Sequence, residues 1–91
     1  MKVKVIGISH YTKQVNGHDY DRYTVYYVRK PHSYDFRERD INGLYCGQVS
    51  GGEIFSSVEL EKCYEFVEAT IRAKNGSSFV GVVDVNAIDK I

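Results

Sequence analysis

The chain has no tryptophan, a single methionine and a single proline, Pro31. It has only two cysteines, Cys46 and Cys63, with no CxxC pair and no Cys/His cluster. That is too few for a disulfide framework, and it offers no spacing for a structural zinc site. No apolar run approaches membrane-spanning length. The apolar part of the opening MKVKVIGI is too short for a signal peptide. These features set the expectation of a soluble, cytoplasmic protein with reduced thiols and no membrane association. Glycines are present, but none has the spacing of a Walker or dinucleotide loop, so a nucleotide cofactor is not expected. No cofactor or metal of any other kind is expected either. Net charge is also missing, since twelve Lys and Arg balance twelve Asp and Glu. This counts against a protein that holds nucleic acid mainly through bulk charge.

The 91 residues fit one domain, 1–91, with one modest core. What the chain has in quantity is tyrosine, eight in all. Four of these fall in Tyr20–Lys30, YDRYTVYYVRK, the most strand-like run present. Alternation gives this run two faces. Tyr23, Val25 and Tyr27 form one that can be buried. Tyr20, Arg22, Thr24, Tyr26, Val28 and Lys30 form the other, which mixes rings with cations. Rings offer π surfaces to bases and cations offer charge to phosphates. The plain alternative is a half-exposed strand with its tyrosine hydroxyls in water, because tyrosine is common in strands.

Charge is also distributed unevenly. Residues 1–39 carry eight Lys and Arg against four Asp and Glu, and residues 40–91 reverse the ratio. A local basic face on a neutral chain is thereby allowed.

Lys2 to His10 reads as a first strand, with a bulge or bend where Gly7 breaks the alternation. Asn16-Gly17 lies between two strand-like runs and signals a hairpin. His10 and His18 flank that turn without a third ligand, so they read as polar loop residues. Pro31–Asn42 is a charged connection in which Tyr34, Phe36, Arg37 and Arg39 form a candidate flap, the alternative being a solvated loop. Gly43–Ser56 reads as a third strand region broken by Gly47 and Gly51-Gly52.

Residues 57–74 admit two readings. Leu60, Cys63, Tyr64, Val67 and Ile71 recur at helical spacing, Ser56 and Glu59 form a capping box, and Asn75-Gly76 is a helix stop. The competing reading is a short helical turn near 57–62 and a strand from Tyr64 to Ala73. Ser78–Asn86 is a strand. No Ser/His/Asp, Cys/His or paired-carboxylate signature is present, and Cys46 lacks a local base, so an enzyme is not expected.

The segments MKVKVIGI, VNGHDYDRYTVYYV, GLYCGQV, EIFSS and KNGSSFVGVVDVNAI occur in an order that resembles the small single-stranded DNA-binding proteins of phages and mobile elements in Gram-positive bacteria. The resemblance implies a mostly β fold, a small five-stranded antiparallel OB-like barrel with one short helix. It implies a non-catalytic protein of DNA replication, expected to be a homodimer, with single-stranded DNA as partner. Ligands of such barrels lie across strands 2 and 3 and the loops joining strands 1–2 and 4–5. The stacking candidates are then Tyr20, Tyr26, Tyr34, Phe36 and Tyr45. The phosphate candidates are Lys4, Lys13, Arg22, Lys30, Arg37 and Arg39. The alternative is an α+β fold, a four-stranded sheet carrying a helix over 57–74. It would serve as a protein-interaction or inhibitor module of a mobile element or phage, with a protein partner.

Overall fold

The computed structural model describes residues 1–91. Five strands, β1 (Lys2–Val15), β2 (His18–Arg29), β3 (Tyr45–Gly51), β4 (Cys63–Arg72) and β5 (Ser78–Ile88), form one antiparallel sheet in the order β3-β2-β1-β4-β5. Two 3-10 turns, Ser33–Phe36 and Glu53–Phe55, complete it, and there is no α-helix.

The first hairpin follows from its turn. Asn16 and Gly17 take φ values of 52° and 80°, the left-handed pair that a two-residue hairpin needs. β1 runs on to Val15, five residues past the expected end at His10, and pairs with β2 as far as Val15↔His18. The ladder slips between Val5 and Gly7, which leaves Ile6 as a bulge at the predicted break. Val3 and Val5 before the bulge and Ile8 after it therefore all serve the core side.

The sheet divides into halves at β1. Its first residues pair with β4 only over Lys2–Lys4, and the rest follows β2. Flanking bonds strengthen the short junction. Phe66 N–H donates to Met1 O at 2.7 Å, Val5 N–H to Lys62 O at 3.0 Å, and Glu61 N–H to Val5 O at 2.9 Å.

The core lies inside the curve of the sheet. Val3, Val5, Val25, Tyr27, Phe55, Val58, Tyr64 and Phe66 are its buried members. Phe66 sits among rings, with Phe55 at 5.5 Å and Tyr27 and Tyr64 at 6.3 Å between centroids. Tyr27 demands a glycine opposite. A Cβ on Gly47, its register partner, would stand 2.7 Å from the Tyr27 ring. Gly47→Val is expected to destabilise the fold by about 1–3 kcal/mol through overpacking. Urea unfolding measures it, and an unchanged midpoint would show that the ring has room to move.

Three expectations need correction. The sheet is open, with β3 and β5 as its two edges, rather than closed into a barrel. A cleft of about 780 Å³ lies where a closing ladder would run, lined by Gln48 and Val49 of β3 and by Val80, Gly81 and Val82 of β5. The helix over 57–74 does not form. Its stripe would bury Leu60 and Val67, which are 55% and 40% exposed, whereas Tyr64 and Phe66 alternate into the core as β4. Period two wins because it alone buries both rings. The α+β alternative falls with that helix. The expected short helix near 57–62 is replaced by the 3-10 turn at Glu53–Phe55, which delivers Phe55 to the core at 1% exposure.

Candidate nucleic-acid interface

Strand alternation builds the site. Tyr23, Val25, Tyr27 and Arg29 of β2 face inward, and Tyr20, Arg22, Thr24, Tyr26 and Val28 face outward, opposite the core. The same alternation sorts charge. Asp19 and Asp21 fall on the Tyr23 side and leave Arg22 without an acid beside it on the outer face. On the inner side Asp21 accepts hydrogen bonds from the His10 ring at 2.9 Å and Thr12 Oγ1 at 3.0 Å. Those bonds hold its carboxyl below the ordinary value of 3.8. His10 also stacks on Tyr23, with centroids 4.3 Å apart. No group of three or more His, Cys, Asp or Glu gathers to hold a metal ion.

Register arranges the outer face into rows. Tyr26 stands between Gly7 and Gln48, and its ring lies over Gly7, whose missing Cβ would be 3.3 Å away. Ser9, Thr24 and Ser50 form the next row, with the Thr24 and Ser50 hydroxyls 3.0 Å apart. Tyr11 pairs with Arg22, and Lys13 pairs with Tyr20. In the other direction Lys4 pairs with Val28, and its ammonium lies 3.4 Å from the exposed Glu61 carboxylate. Exposed rings at Tyr26, Tyr11 and Tyr20, 40%, 58% and 52% accessible, thus recur along one face between Lys4, Arg22 and Lys13. From Tyr20 to Tyr26 the strand covers about 20 Å.

Of the residues singled out from sequence, Lys4, Lys13, Tyr20, Arg22 and Tyr26 share this face. The others do not. Tyr34, Arg37, Arg39 and Tyr45 line a separate hollow of about 340 Å³ with Asp35 and Glu38. Phe36 closes the 3-10 turn beside it, 47% exposed. Lys30 lines the large cleft with His32 and Tyr34. Tyr45 is engaged already, with the Arg29 guanidinium 4.0 Å above its ring.

No family model, no curated protein and no solved structure matches the chain.

Two groups escaped the sequence reading. Tyr11 lies just past the strand end expected at His10, although the alternation continued through Thr12 and Lys13 to Asn16-Gly17 places it on the outer face. Arg29 is only 8% exposed. Its guanidinium donates to both carboxylate oxygens of Asp35, at 2.9 and 3.3 Å, and His32 N–H donates to the same carboxylate at 2.7 Å. This clasp fixes the 33–36 turn to the end of β2 and carries Tyr34 and Phe36 with it.

The Arg29 bond, then the His32 backbone bond, hold the Asp35 carboxyl below its ordinary value of 3.8. A carboxyl depressed in the fold contributes stability that is present above its unfolded value and lost as pH falls through its folded value. The clasp should therefore open only below about pH 4. Asp35→Asn is expected to lower the Tm at neutral pH and to lose part of the acid-induced fall below pH 4. Calorimetry over a pH series tests this, and parallel curves for the two proteins would contradict it.

Proposed function

We propose that the protein binds single-stranded DNA without catalysis, laying bases on Tyr26, Tyr11 and Tyr20 and phosphates against Lys4, Arg22 and Lys13. The observation that carries the reading is the single outer face on which rings and cations alternate while the acids of β2 are turned away. Stacking accepts any base, so little sequence preference is expected. The chain path supports an OB-like relationship. β1 is shared between a β1-β2-β3 meander and a β4-β5 hairpin, and such folds are partly open. Their ligands cross the strands that here are β2 and β3, together with the β1–β2 turn. Tyr34, Arg37 and Arg39 line a separate hollow and Lys30 the large cleft, so they stand outside this track.

A neutral chain with three cations on the face should show a mild salt dependence. Three phosphates neutralised on a single strand give a slope of log affinity against log salt of about −2. A titration of oligo-dT over a salt series measures this slope. Binding that ignores salt would contradict the phosphate contacts.

The second reading, a protein-interaction module of a phage or mobile element, draws its support from apolar exposure on β5, where Phe79, Val80 and Val83 are 53%, 66% and 45% accessible.

A further inference from the structure

The two edges of the sheet run in the same direction. Every pairing from β3 through β2, β1 and β4 to β5 is antiparallel, so β3 and β5 both run with β1. Direct closure between them would need a parallel ladder, the weaker kind per residue. Instead the cleft of about 780 Å³ separates Gln48 and Val49 from Val80, Gly81 and Val82. Long edges are normally blunted by lysine, proline or charge. β3, YCGQVSG, has none of these, and the one charge of β5 is Asp84. The Asp84 carboxylate accepts from Val85 N–H at 2.9 Å, which caps the strand there and leaves Ser78–Val83 open. None of the backbone bonds outside the ladders involves β3 or β5.

We infer that the cleft takes an extended segment of another protein, which lies as a strand between β3 and β5, bonded to both and antiparallel to both. That sixth strand closes the sheet with every neighbour antiparallel. A strand fills about 160 Å³ per residue, from a rise of about 3.3 Å, a strand spacing of about 4.8 Å and a layer spacing of about 10 Å. A cleft of about 780 Å³ therefore holds about five residues. Its walls set the chemistry of the segment. Phe66, Glu68 and Thr70 share one face of β4, and the register puts Val85, Val82 and Val80 beside them. Val80 and Val82 thus line the inner side with Val49 and Tyr27, and they suit apolar residues at alternate positions. Lys2 and Glu65 are register partners and offset each other, and Arg29 is neutralised by Asp35. Glu68 and Lys30 line the cleft without an ion-pair partner. Glu68 lies beside Val82, and Lys30 follows Arg29, whose partner Tyr45 starts β3. A strand running against both edges passes Glu68 first and ends at Lys30. The segment therefore carries a basic residue before its apolar positions and an acidic one after them. In strand addition of this kind main-chain bonds give affinity and alternate side chains give selectivity. The inference rests on the two open edges and not on the DNA reading.

The probe is a fluorescein-labelled peptide, RTVTVTE, which places its arginine, both valines and its glutamate on one face. Anisotropy should show saturable binding to the native chain. Amide exchange should slow on both edges, along Tyr45–Gly51 and along Ser78–Val83. The peptide RTVPVTE keeps every inward side chain but lacks a central N–H, and it should bind about tenfold more weakly. Lys30→Glu should weaken RTVTVTE about fivefold, and RTVTVTK should recover that loss on the variant. No saturable binding, equal binding of the proline peptide, or slowed exchange on one edge alone would overturn the inference. Edge protection in the free chain that grows with its concentration would overturn it by placing a second copy in the cleft. Displacement of the peptide by oligo-dT would overturn it by placing nucleic acid there.

Discussion

Phe66→Ala is expected to remove about 3–5 kcal/mol of folding stability. A domain of this length has about 5–14 kcal/mol in total, so the variant should be marginal at physiological temperature. Phe66 is fully buried and meets Phe55, Tyr27 and Tyr64. It also sits where the two halves of the sheet join, and its backbone N–H and C=O bond to Met1 O and to the Met1 amino group. Only nine residues of the chain are buried, so neighbours have little capacity to refill the cavity. Urea unfolding monitored by far-UV CD measures the loss. A cost under about 1 kcal/mol would mean that the ring cluster is not the core.

Tyr26→Ala is expected to weaken binding of an oligo-dT strand by about 1–3 kcal/mol, roughly 5–150-fold, the usual worth of one stacked base. The side chain packs against Gly7 and is 40% exposed, so part of the ring is held in place and part is open to a base. A fixed ring loses little entropy when a base lands on it. Removing it should cost affinity far more than stability, because Tyr26 is outside the core cluster. Anisotropy and thermal melts on the same variant separate the two effects. Unchanged affinity would remove Tyr26 from the interface. Loss of affinity together with a collapsed melt would assign the ring a structural role.

Much of this could be read in the chain. The alternation of Tyr20–Lys30 separated Tyr23, Val25 and Tyr27 from Tyr20, Arg22, Thr24, Tyr26 and Val28 as the structure does, but Lys30, read with the second group, lies past the strand end and lines the large cleft. Asn16-Gly17 marked the hairpin, since few other dipeptides accept two left-handed residues. Gly7 marked the bulge. The fate of 57–74 was not legible. Its apolar residues satisfy helical and strand periods at once, and only the rings waiting at Tyr27 and Phe55 decide in favour of Tyr64 and Phe66 alternating inward. The open edge was also hidden, because local pattern does not reveal whether distant β3 and β5 come within hydrogen-bonding reach. The Arg29–Asp35 clasp was missed for a related reason. Arg29 ends a basic-looking strand, and nothing before the fold forms shows that its charge is turned inward and neutralised.

The candidate residues divided along the same line. Those on β1 and β2 were placed by period two and ended on a common face. Tyr34, Phe36, Arg37 and Arg39 had no period to place them, and the Arg29–Asp35 clasp holds the turn from which they project, whereas Tyr45 is set by β3 opposite Arg29.

The most direct test of the DNA-binding proposal is fluorescence anisotropy of a labelled oligo-dT titrated with the purified protein at low salt, with duplex DNA of the same length as control. The account predicts micromolar or tighter binding to the single strand, weaker binding to the duplex, and a fall in affinity as salt is raised. Equal affinity for both forms, or no binding to the single strand at low salt, would contradict it.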